Sequence, residues 1–557
     1  MIKKRTALCF LLSAGAHANS VPEIDISASI EQSRQSLQSG SNEMNRLIEE
    51  RQQPKLKQPE LVSKEEIDAP KLDDASPCLP ISGIYIQGIT LLSTKELESL
   101  TAIPEQCISS ENINLLAREL TYLYLVNGYI TARIQFIPTD ADGELGLDVT
   151  EGFIESIESD DPELNIETIF PDMVGKPLNI KQLDQSLDQA NRLPSNKITI
   201  DILPGTQPGG SILRVSNTRS KPWHLTTSLD NYGNKNTGKW LSRNAFSFDN
   251  PFGLSDSINL NISSPVDKPE KNYSRSSSLF YSVPYGALTF SGFANYSEYR
   301  YPVKLQFNEV KLWGETQQYN LRTDYAFYRD QDQINSLSAQ LTYKQVENYL
   351  EDQKIAVSSP TLTVFELGIN HQQMLSNGIF NANFSIEQGL TWLGADQSLS
   401  ANYQDSQFTK AKAVLTSQQY FKVFDDFYLF KNQFYGQYTR DHLPGTEWLT
   451  ITDSSAIRGF SRNTLAADRG WYLQNTLSRN FTLGNTTITP RLGMDVGRVQ
   501  QQSTGWSSAM GFSAGINLSY QDFNIDIDIE ASRGRLLSGK STEKDPNQIL
   551  ARFSYSF

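Results

Sequence analysis

Gln548-Ile549-Leu550-Ala551-Arg552-Phe553-Ser554-Tyr555-Ser556-Phe557 alternates along its length. Ile549, Ala551, Phe553, Tyr555 and Phe557 fall on one face, and Gln548, Arg552, Ser554 and Ser556 on the other, with Leu550 the exception. Successive side chains of a strand point to opposite faces, so a strand against lipid needs only every second residue apolar. The aromatic Phe557 closes the run as the signature of a membrane barrel strand.

The same alternation recurs upstream. Ile258, Leu260 and Ile262 oppose Asn259, Asn261 and Ser263; Met510, Phe512, Ala514, Ile516, Leu518 and Tyr520 oppose Gly511, Ser513, Gly515, Asn517 and Ser519. Phe523, Ile525, Ile527 and Ile529 oppose Asn524, Asp526, Asp528 and Glu530. Lipid cannot accept three carboxylates on one strand, so these line water. About sixteen such runs from Trp223 onward predict a transmembrane antiparallel β-barrel over residues 218–557. A barrel of that size encloses an aqueous channel that something must block at rest.

Composition agrees with spanning by strands. With 38% hydrophobic residues and mean hydropathy -0.42, no apolar run approaches the length of a spanning helix. The short run 7–16 follows Lys3, Lys4 and Arg5 and precedes Ala16-His17-Ala18, the pattern of a signal peptide over residues 1–18. Its removal takes the net charge from -14 to about -17, which disfavours nucleic acid as a partner. Cys78 and Cys107 then remain, and an even pair in an oxidising compartment is expected to close a disulfide rather than bind metal; two buried thiols are the bland alternative.

Residues 19–53 have a thin helical stripe of Ile26, Ile30, Leu37, Met44 and Ile48 among polar residues. Such a helix suits a wet cavity, and it is expected to plug the barrel; Gly40 and the serines leave a frayed surface helix as the alternative. Residues 54–77 are rich in Pro, Lys, Glu and Asp and read as an extended linker. Residues 78–153 and 154–217 read as two small α+β modules. In the first, Ser93 and Glu96 form a capping box, a longer helix spans 112–127 until Gly128 stops it, and strands cover 129–137 and 144–157. The tetrapeptide Asp140-Ala141-Asp142-Gly143 lacks calcium-loop spacing and reads as a hairpin turn. In the second, Asn179 and Gln182 cap a helix that runs through Asn191.

A long loop, 443–469, exceeds ordinary hairpin connections and is expected to fold into the lumen. It carries Ile457-Arg458-Gly459-Phe460. Two strands later, Leu492, Met494 and Val496 take the lipid face of Gly493-Met494-Asp495-Val496-Gly497, so Asp495 points inward. Flanking glycines Gly493 and Gly497 leave room for a guanidinium to bond through both nitrogens, and Arg458 can fill that place. Such a pair contributes roughly 1 to 3 kcal/mol in a partly wet lumen. The alternative is that Arg458 meets solvent and Asp495 only keeps the lumen polar.

At these residues the chain resembles the TpsB transporters of two-partner secretion. The Arg458-Gly459-Phe460 and Gly493-x-Asp495-x-Gly497 motifs carry the resemblance, with Leu229-Asp230-Asn231, Thr237-Gly238, 127–133 (Asn-Gly-Tyr-Ile-Thr-Ala-Arg) and Glu151-Gly152 in support. Ile457 stands where the family usually has Val. The resemblance implies a helix plug, two periplasmic POTRA modules that capture an unfolded exoprotein (TpsA-type), and a lock between Arg458 and Asp495. It also implies a monomer in outer-membrane lipid, inserted by the barrel-assembly machinery, that exports a haemolysin, an adhesin or a contact-dependent growth-inhibition toxin. A barrel-assembly insertase is the alternative. An enzyme is not expected: His224, His371 and His442 are scattered, and Gly511-Phe512-Ser513-Ala514-Gly515 spells a nucleophile elbow inside a strand rather than at a strand-to-helix turn. No cofactor or metal is expected.

Overall fold

A computed structural model describes residues 27–52, 77–101, 107–267, 271–304, 308–330, 332–397, 405–500, 505–538 and 544–557. The expected signal peptide, Ile26, and the expected linker apart from Pro77 lie outside these residues.

The first unit is a three-stranded sheet, Gly83–Gln87, Glu144–Thr150 and Arg133–Ile137 in spatial order, covered by helices Thr94–Leu97 and Ser110–Val126. The Ser93/Glu96 capping box forms, and Ser109 with Asn112 makes a second one that starts the longer helix two residues before the sequence boundary. Gly128 ends that helix at φ +91°, where L side chains are strained, and its carbonyl accepts from Ile180 N at 2.9 Å in the second unit. Leu120, Tyr124 and Val149 form the buried core. Cys78 and Cys107 are bonded, with Cα atoms 5.2 Å apart, tying the first strand's entry to the helix start. Asp140 accepts from the Asp142 and Glu144 amides, as a hairpin turn requires.

Two expected strand boundaries move. The 129–137 run becomes strand only at Arg133, because Tyr129 N still bonds the Tyr124 carbonyl as part of the helix stop. The 144–157 run is two strands, Glu144–Thr150 and Phe153–Ser159, belonging to different sheets. It breaks at Glu151-Gly152, where a side chain on Gly152 would overlap Thr131. Glu151 accepts from Thr90 N and Leu91 N at 2.8 and 2.9 Å and from Tyr124 OH at 2.7 Å. Burial pushes its pKa up, but those hydrogen bonds outweigh burial and hold it below the usual carboxylate value.

The second unit repeats the plan with Phe153–Ser159, Gly210–Asn217 and Ile198–Pro204, plus helices Ile166–Ile169 and Ile180–Asn191. Asn179 alone supplies the N-cap side chain of the last helix, accepting from Lys181 N. This unit sits on the barrel's periplasmic rim. Arg192 bonds the Ser282 carbonyl at 3.2 Å, Gln189 bonds Thr289 at 3.0 Å and Ser195 N bonds Asp249 at 2.9 Å.

The barrel closes with sixteen antiparallel spanning strands, the two-residue segment Gln353–Lys354 and the short Phe481–Leu483 extending hairpins rather than adding spans. Strands reach 21 residues in Glu309–Arg329. The last strand, Gln548–Ser556, pairs with the first, Trp223–Asp230, from Arg552↔Asp230 to Ser556↔Thr226. Ile549, Phe553, Tyr555 and Phe557 are all exposed on the outer face, as alternation requires. Phe523 is the exception to its run: it ends a single 3-10 turn, Gln521–Phe523, and the strand begins at Ile525.

Candidate functional site

The lumen holds two inserted elements. The first is the helix Ser27–Gln52, whose buried stripe is Ser29, Ser33, Leu37, Gly40, Met44, Leu47 and Ile48. In its second half the buried stripe is apolar: Met44, Leu47 and Ile48 pack on Phe280 and Phe293 of the wall. Its first half is polar. Ser33 donates to Asn348 at 3.1 Å, Arg34 donates to Thr450 Oγ1 at 2.9 Å and to the Gly445 carbonyl at 3.3 Å, and Gln38 reaches the Trp448 carbonyl. Of the expected face, Leu37, Met44 and Ile48 are buried, while Ile30 is half-buried against Gly445.

Hydrophobic periodicity misses that polar half, because serine and arginine carry no signal there. Gly40 reverses its expected meaning. A side chain at this position would press on Asn295 and Gln318 of the wall, so the residue that weakens an isolated helix permits this one to lie close.

The second element is the loop between Thr439 and Arg469, which contains a 3-10 turn, Gly445–Glu447, and a small hairpin of Leu449–Thr450 with Ala466–Ala467. Arg458 Nε lies 2.7 Å from Asp495 Oδ2 and Nη2 lies 2.6 Å from Oδ1, a two-toothed pair. The Arg458 amide adds a third bond to Oδ2 at 3.0 Å, and the guanidinium also reaches Thr476 Oγ1 and the Asn475 carbonyl. Asp495 is 0% exposed, so its charge is answered wholly by protein donors.

Four glycines make the approach possible. A side chain on Gly493 would collide with the Arg458 guanidinium, on Gly511 with the Arg458 carbonyl, and on Gly534 with the Phe460 ring. Gly459, at φ +93°, lies against the Arg533 backbone. Gly497 instead makes room for Trp471 and Tyr472 on the neighbouring strand, so only Gly493 of the motif serves the guanidinium. Ile457 is fully buried among Leu449, Ile451 and Tyr472.

Two further anchors have no motif in the sequence. Glu447 meets Lys344 at 2.6 Å and Lys410 at 2.7 Å, and Lys410 in turn meets Glu387 at 3.0 Å. Asp545 accepts from the amides of Ser461 and Arg462, and Gln548 donates to the Phe460 carbonyl at 2.7 Å. At the periplasmic mouth a cavity of about 190 Å³ is lined by Ile48 and Glu49 of the helix and by Gln189 and Arg192 of the second unit.

Leu229-Asp230-Asn231 lies where the first and last strands meet. Asp230 accepts from Arg243 at 2.7 Å, and Asn231 bonds the backbone of Ile549 and Ala551 beyond the last rung. Ser513 of the elbow-like pentapeptide lies inside the strand Trp506–Tyr520, without a turn. The described residues contain no cluster of three or more metal-ligating side chains.

The profile of the haemolysin secretion/activation proteins ShlB, FhaC and HecB matches residues 209–518, and POTRA profiles match 79–152 and 153–204. The chain is 53% identical to the hemolysin transporter protein ShlB of Serratia marcescens and 45% identical to HpmB of Proteus mirabilis, each over 100% of both chains. The solved CdiB from Escherichia coli superposes with a TM-score of 0.80 at 26% identity, covering 95% of this chain and 98% of that one. Plugged lumen, docked loop, paired POTRA units and full-length similarity converge: the chain belongs to the ShlB/FhaC/HecB haemolysin secretion/activation family, the TpsB transporters of the outer membrane with POTRA domains in the periplasm.

Proposed function

We propose that the chain exports a haemolysin-type exoprotein through its own barrel, in two-partner (type V) secretion. The observation that carries this reading is a lumen wide enough for a channel yet filled by two separable elements, the helix Ser27–Gln52 and the Arg458 loop. A haemolysin-type cargo is favoured because the two relatives that align over their whole length are named as hemolysin transporters, whereas the CdiB relatives align at 28–29% identity.

In this reading the POTRA units take an unfolded client by strand addition and apolar contact, which ask little of its sequence. The first unit offers the edge strand Arg133–Ile137 with exposed Phe136, and exposed Tyr122 and Leu125 on its helix. The helix then leaves the lumen, Arg458 and Asp495 set the loop position, and folding of cargo outside biases direction without ATP. The protein acts as a monomer, is inserted by the barrel-assembly machinery, and performs no catalysis.

Co-expression with a haemolysin-type exoprotein tests the reading. Haemolytic cargo appears in the medium with the intact chain and stays in the periplasm when residues 78–217 are removed. Equal secretion without those residues overturns client capture by the POTRA units.

A further inference from the structure

We propose that the barrel's outer face carries a specific site for the phosphorylated, multiply acylated glycolipid of the outer leaflet. At the extracellular end, the register aligns Arg469 with Gln500 and Trp471 with Arg498, and alternation turns all four outward. Gln500 pairs in turn with Trp506. Tyr438, on the strand before Arg469, is 53% exposed. Two guanidiniums therefore sit among three aromatic rings where strands leave the hydrocarbon.

Arg498 stands 4.3 Å from the Trp506 ring centre and 5.8 Å from that of Trp471. Neither Arg498 nor Arg469 has a carboxylate partner among the described residues, and Arg469 Nε is buried without a hydrogen bond. The opposite end of the barrel offers a control. Arg479 is likewise held between Tyr428 and Phe481, but Asp426 neutralises it. Cations left unanswered at a lipid boundary select anionic headgroups, and guanidinium forks match phosphate oxygens.

Directly below lies an apolar groove of about 880 Å³. Its floor is Ala411, Ala413 and Gly436, aligned by strand register, and its walls are Phe384 and Ile386 on one side and Tyr438 and Trp471 on the other. A groove of that shape takes an acyl chain while the arginines hold the phosphate above it. Headgroup and chain thus belong to one lipid, which fits a phosphoglycolipid of the outer leaflet better than free phosphate.

The test is native mass spectrometry of the full-length protein in detergent, incubated with bisphosphorylated lipid A, phosphatidylglycerol or inorganic phosphate. Lipid A should stay bound, and Arg469→Gln with Arg498→Gln should lower its retention about tenfold. Ala413→Leu, which fills the groove with both charges intact, should lower it too, and Arg479→Gln should not. Heat-modifiable mobility reports whether each variant has a folded barrel. Unchanged retention in the folded double variant overturns the site, as does equal retention of phosphatidylglycerol or displacement of lipid A by inorganic phosphate.

Discussion

Arg34 on the lumen helix and Thr450 on the inward loop are joined by a buried 2.9 Å hydrogen bond, with a second bond from Arg34 to the Gly445 carbonyl. Helix and loop therefore hold each other as well as the wall. Arg34→Ala leaves buried acceptors unpaired, at about 1–3 kcal/mol. The expected outcome is a raised resting conductance in planar bilayers, approached from above by deletion of residues 27–52. Wild-type conductance in the deletion would remove the plug assignment.

Arg458→Ala strands Asp495 as an uncompensated buried charge, at about 3–5 kcal/mol. Export should fall sharply while barrel insertion, read by heat-modifiable mobility, persists. Arg458→Lys should restore little, because an ammonium cannot make the two-toothed contact. Normal secretion in both Arg458→Ala and Asp495→Ala would refute the lock.

Gly511→Ala and Gly497→Ala separate loop docking from wall packing. The first places a methyl group on the Arg458 carbonyl, the second on the Trp471–Tyr472 backbone. Protease accessibility of residues 453–463 should rise in the first variant with the barrel intact, whereas the second should lower the barrel's own thermal stability.

Glu151 predicts an acid-sensitive first POTRA unit. Its folded pKa lies below its ordinary value of 4.5, so the stabilisation is present above that value and is lost as pH falls through the folded pKa. Hydrogen exchange in segments 90–97 and 120–128 should quicken on acidification below about pH 4.5, and Glu151→Gln should blunt that dependence. A pH-independent exchange pattern in the wild type would count against this role.

Reducing the Cys78–Cys107 bond releases a span of 29 residues and should lower the unit's stability by roughly 3 kcal/mol. Urea unfolding of the full chain, followed at the first POTRA unit with and without reductant, measures the difference.

What the sequence made legible was whatever alternates or repeats. Ile525, Ile527 and Ile529 against Asp526, Asp528 and Glu530 state inside and outside without ambiguity, because period-two patterning is a local property of the strand. Asp495 could be aimed inward on the same ground. The partners that gather around Arg458 were only half legible. Gly493 lies beside Asp495 in sequence, but Gly511 and Gly534 come from other strands and meet the loop through barrel register alone. Glu447, Lys344 and Lys410 are scattered along the chain, and nothing in their spacing announces that closure brings them together. Ser29, Ser33 and Gly40 add nothing to the apolar stripe: small polar residues count against a helix in water, yet here they let one nest against a wet wall.

The Arg458 segment of the loop is pinned to the C-terminal strands through Asp495, Gly511, Gly534 and Gln548, and its Glu447 turn to Lys344 and Lys410, whereas the helix rests on strands between Ser257 and Leu350. Withdrawal of the helix alone consequently opens a crescent rather than a round bore. A passing polypeptide would travel off-axis, with polar Asn295, Gln318 and Asn348 along one bank and the stationary loop forming the other.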